Sequence, residues 1–216
     1  MIPKLHYISQ GGSPKAHIEH IQKACQSGAE LVQLRLKDIS EKKILKIAEE
    51  VREITSHFQT RLIINDHYKI AVKVKADGVH LGKTDTCPLI VRKALTSWQI
   101  IGGTANTLED CHTLLDKQVN YIGLGPLRYT STKQNLSPVL GFEGYKNIFE
   151  NLVTPTPIIA IGGIVLEDIK PLLEIGLSGI AVSGEITKDF NSIAQFHKAL
   201  NTGSNHAQRY EFKTEE

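Results

Sequence analysis

The sequence lacks long hydrophobic runs and a cysteine framework. No apolar run approaches the roughly 20 residues that a membrane-spanning helix needs, and the first ten residues lack the apolar core of a signal peptide. We therefore expect no membrane segment and a cytoplasmic location. The three cysteines, Cys25, Cys87 and Cys111, are scattered and odd in number. This pattern argues against a disulfide framework and against a zinc site with the usual ligand spacing.

The chain also lacks an excess of charge of either sign. Lys and Arg number 25 and Asp and Glu 23, which gives a formal net charge of +2 over 216 residues. Since the two signs are interspersed, nothing in the sequence predicts a nucleic acid or a membrane surface as partner. Small molecules remain as partners, and the sequence leaves a homo-oligomer open. The hydrophobic content of 41% is ordinary for a globular core.

What the sequence has is a regular alternation of short apolar runs with helical patterns, repeated about eight times. It predicts a single (β/α)8 TIM barrel over residues 1–200, followed by a polar tail over 201–216 that we expect to be loosely ordered. A doubly wound open sheet is the alternative. It is disfavoured because polar and glycine residues follow nearly every run, whereas an open sheet concentrates them at one point. The predicted strands are Leu5–Ile8, Leu31–Arg35, Leu62–Ile64, Gly78–Leu81, Gln99–Gly102, Tyr121–Leu124, Pro157–Ile161 and Gly179–Val182.

The segment from Arg61 to Asp85 reads as one strand–helix–strand unit with a carboxylate after each strand. Asp66 follows the first strand closely, and Asp85 lies just beyond the second. Parallel neighbours bring their carboxyl ends to one rim, so both carboxylates can face one cavity. Hard oxygen ligands of this kind suit Mg²⁺ that carries a phosphorylated substrate. The alternative is that Asp66 caps a helix and that Asp85 belongs to a turn or a cap.

Polar residues on the second strand add positive charge to the same rim. Gln33, Arg35 and Lys37 alternate along the chain and therefore share one face. Arg35 and Lys37 are candidates for binding an anion, although they could also be solvated charges at a strand end. His80 lies within a strand, where spacing alone indicates a hydrogen-bonded core histidine.

Two further regions are typical of anion binding. The region from Pro126 to Gly141 has no periodicity, and its Thr130, Thr132 and Lys133 can donate hydrogen bonds to an anion. The alternative is that this region is a mobile, solvated loop. The turns after the seventh and eighth strands, Gly162-Gly163 and Ser183-Gly184, stand where barrels often bind phosphate. The sequence thus predicts two anion sites on one rim, and we see no constellation for covalent catalysis.

Taken in order from about Leu5 to Ile186, these residues resemble the thiamine phosphate synthase family. Each motif is weak alone, and the ordered set is specific. The segments that carry the resemblance are Gln33-Leu34-Arg35-Leu36-Lys37, Ile64-Asn65-Asp66, Asp77-Gly78-Val79-His80-Leu81-Gly82, Thr84-Asp85, Gly123-Leu124-Gly125-Pro126, Thr130-Ser131-Thr132-Lys133, Ala160-Ile161-Gly162-Gly163-Ile164 and Val182-Ser183.

The resemblance implies a Mg²⁺-dependent transferase that joins hydroxymethylpyrimidine diphosphate to thiazole phosphate and releases pyrophosphate. It implies that Asp66 and Asp85 ligate the metal and that Arg35, Lys37 and Lys133 are catalytic. These three cations would hold the diphosphate together with Asn65 and Thr104, and Gln33 and His80 would lie beside the pyrimidine. The thiazole side and its phosphate would be bound by Thr130, Thr132, Gly163, Val182 and Ser183.

The chain departs from the family pattern in several places. Thr104 stands where Ser is usual, Asn106 where His is common and Lys83 where Gln is frequent. Leu127-Arg128-Tyr129 replaces a more apolar segment, and Gly184-Glu185 follows Ser183 where a small apolar residue is usual. A thiazole tautomerase-like barrel and a non-catalytic phosphate-binding barrel are the alternative functions. Neither needs the full set of metal carboxylates and diphosphate cations.

Overall fold

The computed structural model describes residues 1–130 and 138–202 of the chain. Within these ranges, eight parallel strands form a closed barrel and follow one another around it in sequence order. The predicted fold class is therefore confirmed, and the open sheet is excluded because β1 pairs with β8. The strands are β1 Leu5–Ile8, β2 Leu31–Leu34, β3 Arg61–Asn65, β4 Gly78–Leu81, β5 Ile100–Ala105, β6 Tyr121–Leu124, β7 Ile158–Ile161 and β8 Gly179–Val182.

Helices connect consecutive strands and cover the barrel. Their starts follow local chemistry: Ser13 accepts a hydrogen bond from the amide of Ala16 (3.2 Å), and Pro14 occupies the first turn of α1. Among the described residues, no helix has both the length and the apolarity that crossing a bilayer requires. The helices are α1 Pro14–Gln26, α2 Glu41–His57, α3 Tyr68–Lys73, α4 Pro88–Ala94, α5 Leu108–Asp116, α6 Gly141–Asn151, α7 Ile169–Ile175, α8 Gly184–Lys188 and α9 Ser192–Thr202.

The apolar core has two layers. The larger layer lies between strands and helices, while a small cluster of Ile8, Tyr121, Ile159 and Ala181 fills the barrel interior. The side chain of Gln33 on β2 hydrogen-bonds that of Tyr121 on β6. Since β2 and β6 are not neighbours, this contact crosses the interior. Inward-facing side chains of β2 and β6 therefore meet inside the barrel. In barrels of this kind the active site lies at the rim formed by the carboxyl ends of the strands.

Several predicted boundaries are wrong. β5 does not end at Gly102 but continues through Thr104 to Ala105, because its glycines make room for packing and not for a turn. The sequence pattern predicts a helix from Gly144 to Leu152, whereas α6 begins at Gly141. The pattern does not predict the five-residue helix α8. Pro171 is tolerated because it is the third residue of α7, where an amide donor has no partner within the helix. The predicted tail lies outside the described residues from 203 onward.

Candidate active site

Asp66 and Asp85 lie together at the rim formed by the carboxyl ends of the strands, and their side chains hydrogen-bond each other. Asp66 directly follows β3 with a φ of 63°, and its amide donates to the carbonyl of His80 (2.8 Å). The Oδ2 atom of Asp85 accepts a hydrogen bond from the amide of Gly82 (2.6 Å). Asp66 is not a helix cap, because His67 occupies that position for α3. Asp85 does brace a turn, and the same side chain also faces Asp66.

The pKa values of the two carboxylates shift in opposite directions. Burial alone would raise the pKa of Asp66, but hydrogen bonds from Asp85 and Lys37 outweigh it and lower that pKa. Burial raises the pKa of Asp85, and its hydrogen bond with Asp66 raises it further. Asp66 is therefore the ionised partner, and Asp85 retains the proton to higher pH than usual. A cation between them would favour the ionised form of both carboxylates.

Positive side chains from the end of β2 face this pair. The Nζ atom of Lys37 donates to Oδ2 of Asp66, and about half of the Lys37 side chain is exposed. Burial lowers the pKa of Arg35, and the negative charge of Asp66 partly offsets that effect. A guanidinium nevertheless stays charged at neutral pH. The rim therefore presents two cations and an ionised carboxylate to an incoming anion.

A chain of polar side chains runs across the barrel interior below this rim. The Nδ1 atom of His80 lies 2.9 Å from the hydroxyl of Tyr121, and its Nε2 atom lies 2.9 Å from Oγ1 of Thr104. The Tyr121 hydroxyl also bonds the side chain of Gln33. Burial raises the pKa of Tyr121, so the phenol stays neutral. The structure thus connects three of the predicted substrate-binding residues through Tyr121.

Sequence reasoning missed Tyr121 because it stands at the start of a strand that reads as apolar. In the structure Tyr121 and Gly123 lie on the same face of β6, and a β-carbon at Gly123 would lie 3.0 Å from Cε1 of His80. A glycine facing an inward histidine, two residues after a tyrosine, indicates that large polar side chains fill the interior at this level.

Asn65 supplies an unused donor next to the carboxylates. Its side chain is 7% exposed, and its Nδ2 atom has no acceptor among the described residues. A buried donor without an acceptor costs about 1–3 kcal/mol. Its position at the last residue of β3 suits an oxygen of a bound anion.

On the other side of the rim, the predicted glycine turn after β7 is present. The second predicted turn is not: Gly184 is the first residue of α8 and Ser183 is its N-cap. Gly162 and Gly163 have φ values of 98° and 65°, which side chains with a β-carbon rarely adopt. Ser183 donates to the carbonyl of Ile8 (2.8 Å), so its hydroxyl ties β8 to β1. Val182 is buried within β8 beside Tyr7 and can offer only its backbone to a ligand.

Of the three predicted residues in the loop after β6, the structure describes only Thr130. Thr130 is partly buried and is the last residue before the undescribed segment, while Thr132 and Lys133 lie outside the described residues. Among the residues at which the chain departs from the family pattern, Lys83 pairs with Asp110 of α5 (2.5 Å). Asn106 bonds the carbonyl of Gly125 and thereby ties the end of β5 to the end of β6.

The donor set fits a hard divalent cation that shares its coordination with a substrate. Within the described residues, no group of three or more His, Cys, Asp or Glu side chains is placed to hold a metal. The protein can therefore offer the two carboxylates of Asp66 and Asp85. Mg²⁺ is commonly bound by one or two carboxylates together with substrate phosphates and water.

Fold and rim together define a (β/α)8 barrel with a carboxylate pair and cations on one side and a glycine turn on the other. A family model described as thiamine monophosphate synthase matches residues 5–186, most of the chain. The chain belongs to the thiamine monophosphate synthase family.

Curated relatives agree with this assignment. The thiamine-phosphate synthase of Flavobacterium johnsoniae is 44% identical over 191 residues, which cover 87% of this chain and 90% of the relative. That of Flavobacterium psychrophilum is 43% identical over 206 residues, covering 93% of this chain and all of the relative. Among solved structures, a thiamine phosphate pyrophosphorylase from Pyrococcus furiosus superposes with a TM-score of 0.77 at 26% identity, covering 93% of this chain and 96% of that one.

Proposed function

We propose that this chain is a thiamine phosphate synthase that joins hydroxymethylpyrimidine diphosphate to thiazole phosphate, giving thiamine phosphate and pyrophosphate. Membership of the family and the names of the relatives support the activity. The observation that carries the assignment of the site is the hydrogen-bonded pair Asp66 and Asp85, with Lys37 on Asp66, at the end of the barrel that also carries the Gly162-Gly163 turn.

In this proposal Asp66 and Asp85 hold Mg²⁺. When bound, the ion neutralises negative charge on the diphosphate leaving group. Arg35 and Lys37, which follow the end of β2, approach the same diphosphate, as does the unused Asn65 donor at the end of β3. The family resemblance adds Lys133. With the ion bound, both carboxylates would serve as its ligands, and Lys37 would remain beside Asp66 and face the diphosphate.

The interior hydrogen-bond chain orients the pyrimidine. Gln33 and His80 are fixed through Tyr121, and Thr104 through His80, so their positions cost little reorganisation when substrate binds. The bond between the pyrimidine methylene carbon and the diphosphate oxygen breaks, and pyrophosphate leaves with the electron pair. The resulting carbocation-like centre is captured by the lone pair of the thiazole nitrogen, which forms the new carbon–nitrogen bond.

The second substrate is held by its phosphate on the opposite side of the rim. We assign this seat to the backbone of the Gly162-Gly163 turn, the backbone of Val182, and Ser183 at the start of α8. The family resemblance adds Thr130 and Thr132. Backbone amides bind a phosphate without bringing a second full positive charge to the reaction centre. The two phosphorylated groups are thereby kept apart while the pyrimidine and the thiazole ring meet between them.

A coupled assay for pyrophosphate tests this function. We expect release when both substrates and Mg²⁺ are present, and loss of thiamine phosphate formation when any one is omitted. A thiazole tautomerase would instead change thiazole phosphate alone without releasing pyrophosphate, and a phosphate-binding barrel would change neither substrate. No release from the complete mixture would contradict the proposal. The cytoplasmic location and the oligomeric state stay predictions.

A further inference from the structure

Arg128 lies just after β6 and connects three groups with one guanidinium. Its Nη1 atom donates to the carbonyl of Gly163 (2.7 Å) and to Oδ2 of Asp168, while its Nη2 atom donates to Oδ1 of Asp168 (2.8 Å). The Asp168 residue is 4% exposed, and its Oδ2 also accepts from the amide of Val165 (2.8 Å). The fork geometry of this pair restrains the guanidinium in orientation as well as in position.

The backbone of the same segment runs alongside the glycine turn. The amide of Leu127 donates to the carbonyl of Ile161 (2.9 Å), and the amide of Arg128 donates to that of Gly162 (3.1 Å). A β-carbon at Gly163 would lie 2.5 Å from Cγ of Arg128, which is closer than packed atoms approach. The turn and the Arg128 side chain are thus built against each other, and only glycine fits at the contact.

This arrangement fixes the direction of a peptide group in the proposed phosphate seat. Two successive glycines at positive φ can adopt many other conformations, so holding them in one costs conformational entropy. The peptide bond is planar and trans, so the amide of Ile164 points opposite to the carbonyl of Gly163. Because Arg128 holds that carbonyl, it also sets the direction of the Ile164 amide.

We propose that Arg128, braced by Asp168, is a positioning residue that holds the Gly162-Gly163 turn in its phosphate-binding conformation. This inference rests on the proposed function, because it takes that turn to be the seat for the phosphate of the second substrate. We take Arg128 to act through the turn, since three of its five N–H donors are directed at Asp168 and Gly163. It therefore governs the affinity for thiazole phosphate and leaves the diphosphate side unaffected.

Steady-state kinetics of Arg128→Met test the proposal. We expect KM for thiazole phosphate to rise about tenfold, the size expected for losing one charge-assisted hydrogen bond. KM for the pyrimidine diphosphate should stay within about twofold, because the diphosphate binds on the opposite side of the rim. The value of kcat at saturation should also stay within about twofold, because a loss of substrate binding alone leaves kcat unchanged. An unchanged KM for thiazole phosphate in an active variant overturns the proposal.

Arg128→Lys separates positioning from simple charge. A lysine keeps the positive charge but cannot reach both oxygens of Asp168 and the Gly163 carbonyl in one plane. Positioning predicts that Arg128→Lys behaves like Arg128→Met, whereas direct attraction of the phosphate predicts that it behaves like the unmodified protein. The latter result would overturn the positioning role. Lys146→Met is the matched control, because it removes an exposed cation paired with Glu143 on α6 and should change no kinetic constant.

Folding needs a separate control, since Arg128→Met leaves a buried carboxylate without its cation. The double variant Arg128→Met with Asp168→Asn removes both charges and should restore the melting temperature while KM for thiazole phosphate stays raised. A restored KM in the double variant would overturn the proposal.

If the unmodified protein shows no coupling of the two substrates, the proposed function has failed. Calorimetric titration with inorganic phosphate then tests the role of Arg128 independently of the proposed function. Weaker phosphate binding by Arg128→Met than by the unmodified protein supports the inference, and equal binding overturns it.

Discussion

At the scale of single residues, His6 shows how the barrel interior changes the chemistry of a side chain. It lies on β1 with 2% of its surface exposed, and its Nε2 atom lies 3.0 Å from the carbonyl of Pro3. Burial lowers the pKa of His6 from 6.5 to about 3, only partly opposed by that hydrogen bond. The imidazole therefore stays neutral in the folded protein through the mildly acidic range.

This predicts a loss of stability on acidification that depends on His6. The unfolded chain takes up a proton at this histidine below pH 6.5, while the folded chain does not until about pH 3. Folding stability should therefore fall as pH falls between those values, by up to about 1.4 kcal/mol per pH unit from this group. Urea unfolding of the unmodified protein and of His6→Gln at pH 7, 6 and 5 measures the difference. Equal pH slopes for the two proteins would show that His6 is not buried as a neutral imidazole.

Charged residues at strand ends could be identified from the sequence, whereas the residues that hold site groups in position through hydrogen bonds could not. Asp66 and Asp85 stand at strand ends in one strand–helix–strand unit, and chain connectivity alone brings such positions to one rim. Tyr121 and Arg128 are different, because their roles depend on contacts with β2, β4 and the turn after β7. No local pattern encodes contacts between segments so far apart in the sequence.

At the scale of secondary-structure elements, β5 is shaped by the side chains packed against it. A β-carbon at Gly102 would lie 2.1 Å from Cζ of Tyr121, a ring that is 2% exposed and hydrogen-bonded. The ring cannot move aside without breaking its bond to His80. The glycine of β5 is therefore what lets the tyrosine of β6 lie inside the barrel.

We expect Gly102→Ala to destabilise the fold by about 1–3 kcal/mol, the usual cost of overpacking a core. Activity should fall as well, because displacement of Tyr121 releases His80 and Gln33. Urea unfolding measures the first effect and the pyrophosphate assay the second. Gly12→Ala is the matched control, since a β-carbon there meets nothing within 4 Å. Equal stability of the two variants would contradict this account of β5.

The order and type of the strands were predictable because apolar runs bounded by glycine and polar residues mark buried parallel strands. The ends of the strands and helices were less predictable. Gly102 and Gly103 read as the end of β5, although they meet the side chains of Tyr121 and Leu114 within the strand. Helix α8 has only five residues and follows β8 directly, so it is too short to show a helical repeat.

At the scale of the whole molecule, barrel closure brings the two halves of the proposed site to one rim. The carboxylates follow β3 and β4, and the glycine turn follows β7, so the proposed groups come from opposite sides of one ring of strands. The number of alternating units predicted this closure, and the resemblance in the ordered motifs supplied the identities of pyrimidine and thiazole. Geometry alone could not have distinguished these rings from other phosphorylated partners.

The central claim is that Asp66 and Asp85 form the Mg²⁺-dependent half of the site, and the Asp66→Asn variant tests it most directly. Asn keeps the size of the side chain and tolerates the positive φ at this position, so the fold should persist. We predict that pyrophosphate release at saturating substrates and Mg²⁺ falls at least about a hundredfold, since charge stabilisation by a metal is worth several kcal/mol. Glu53→Gln, on the exposed face of α2, should release pyrophosphate at the normal rate. Undiminished release by a folded Asp66→Asn variant would contradict the account.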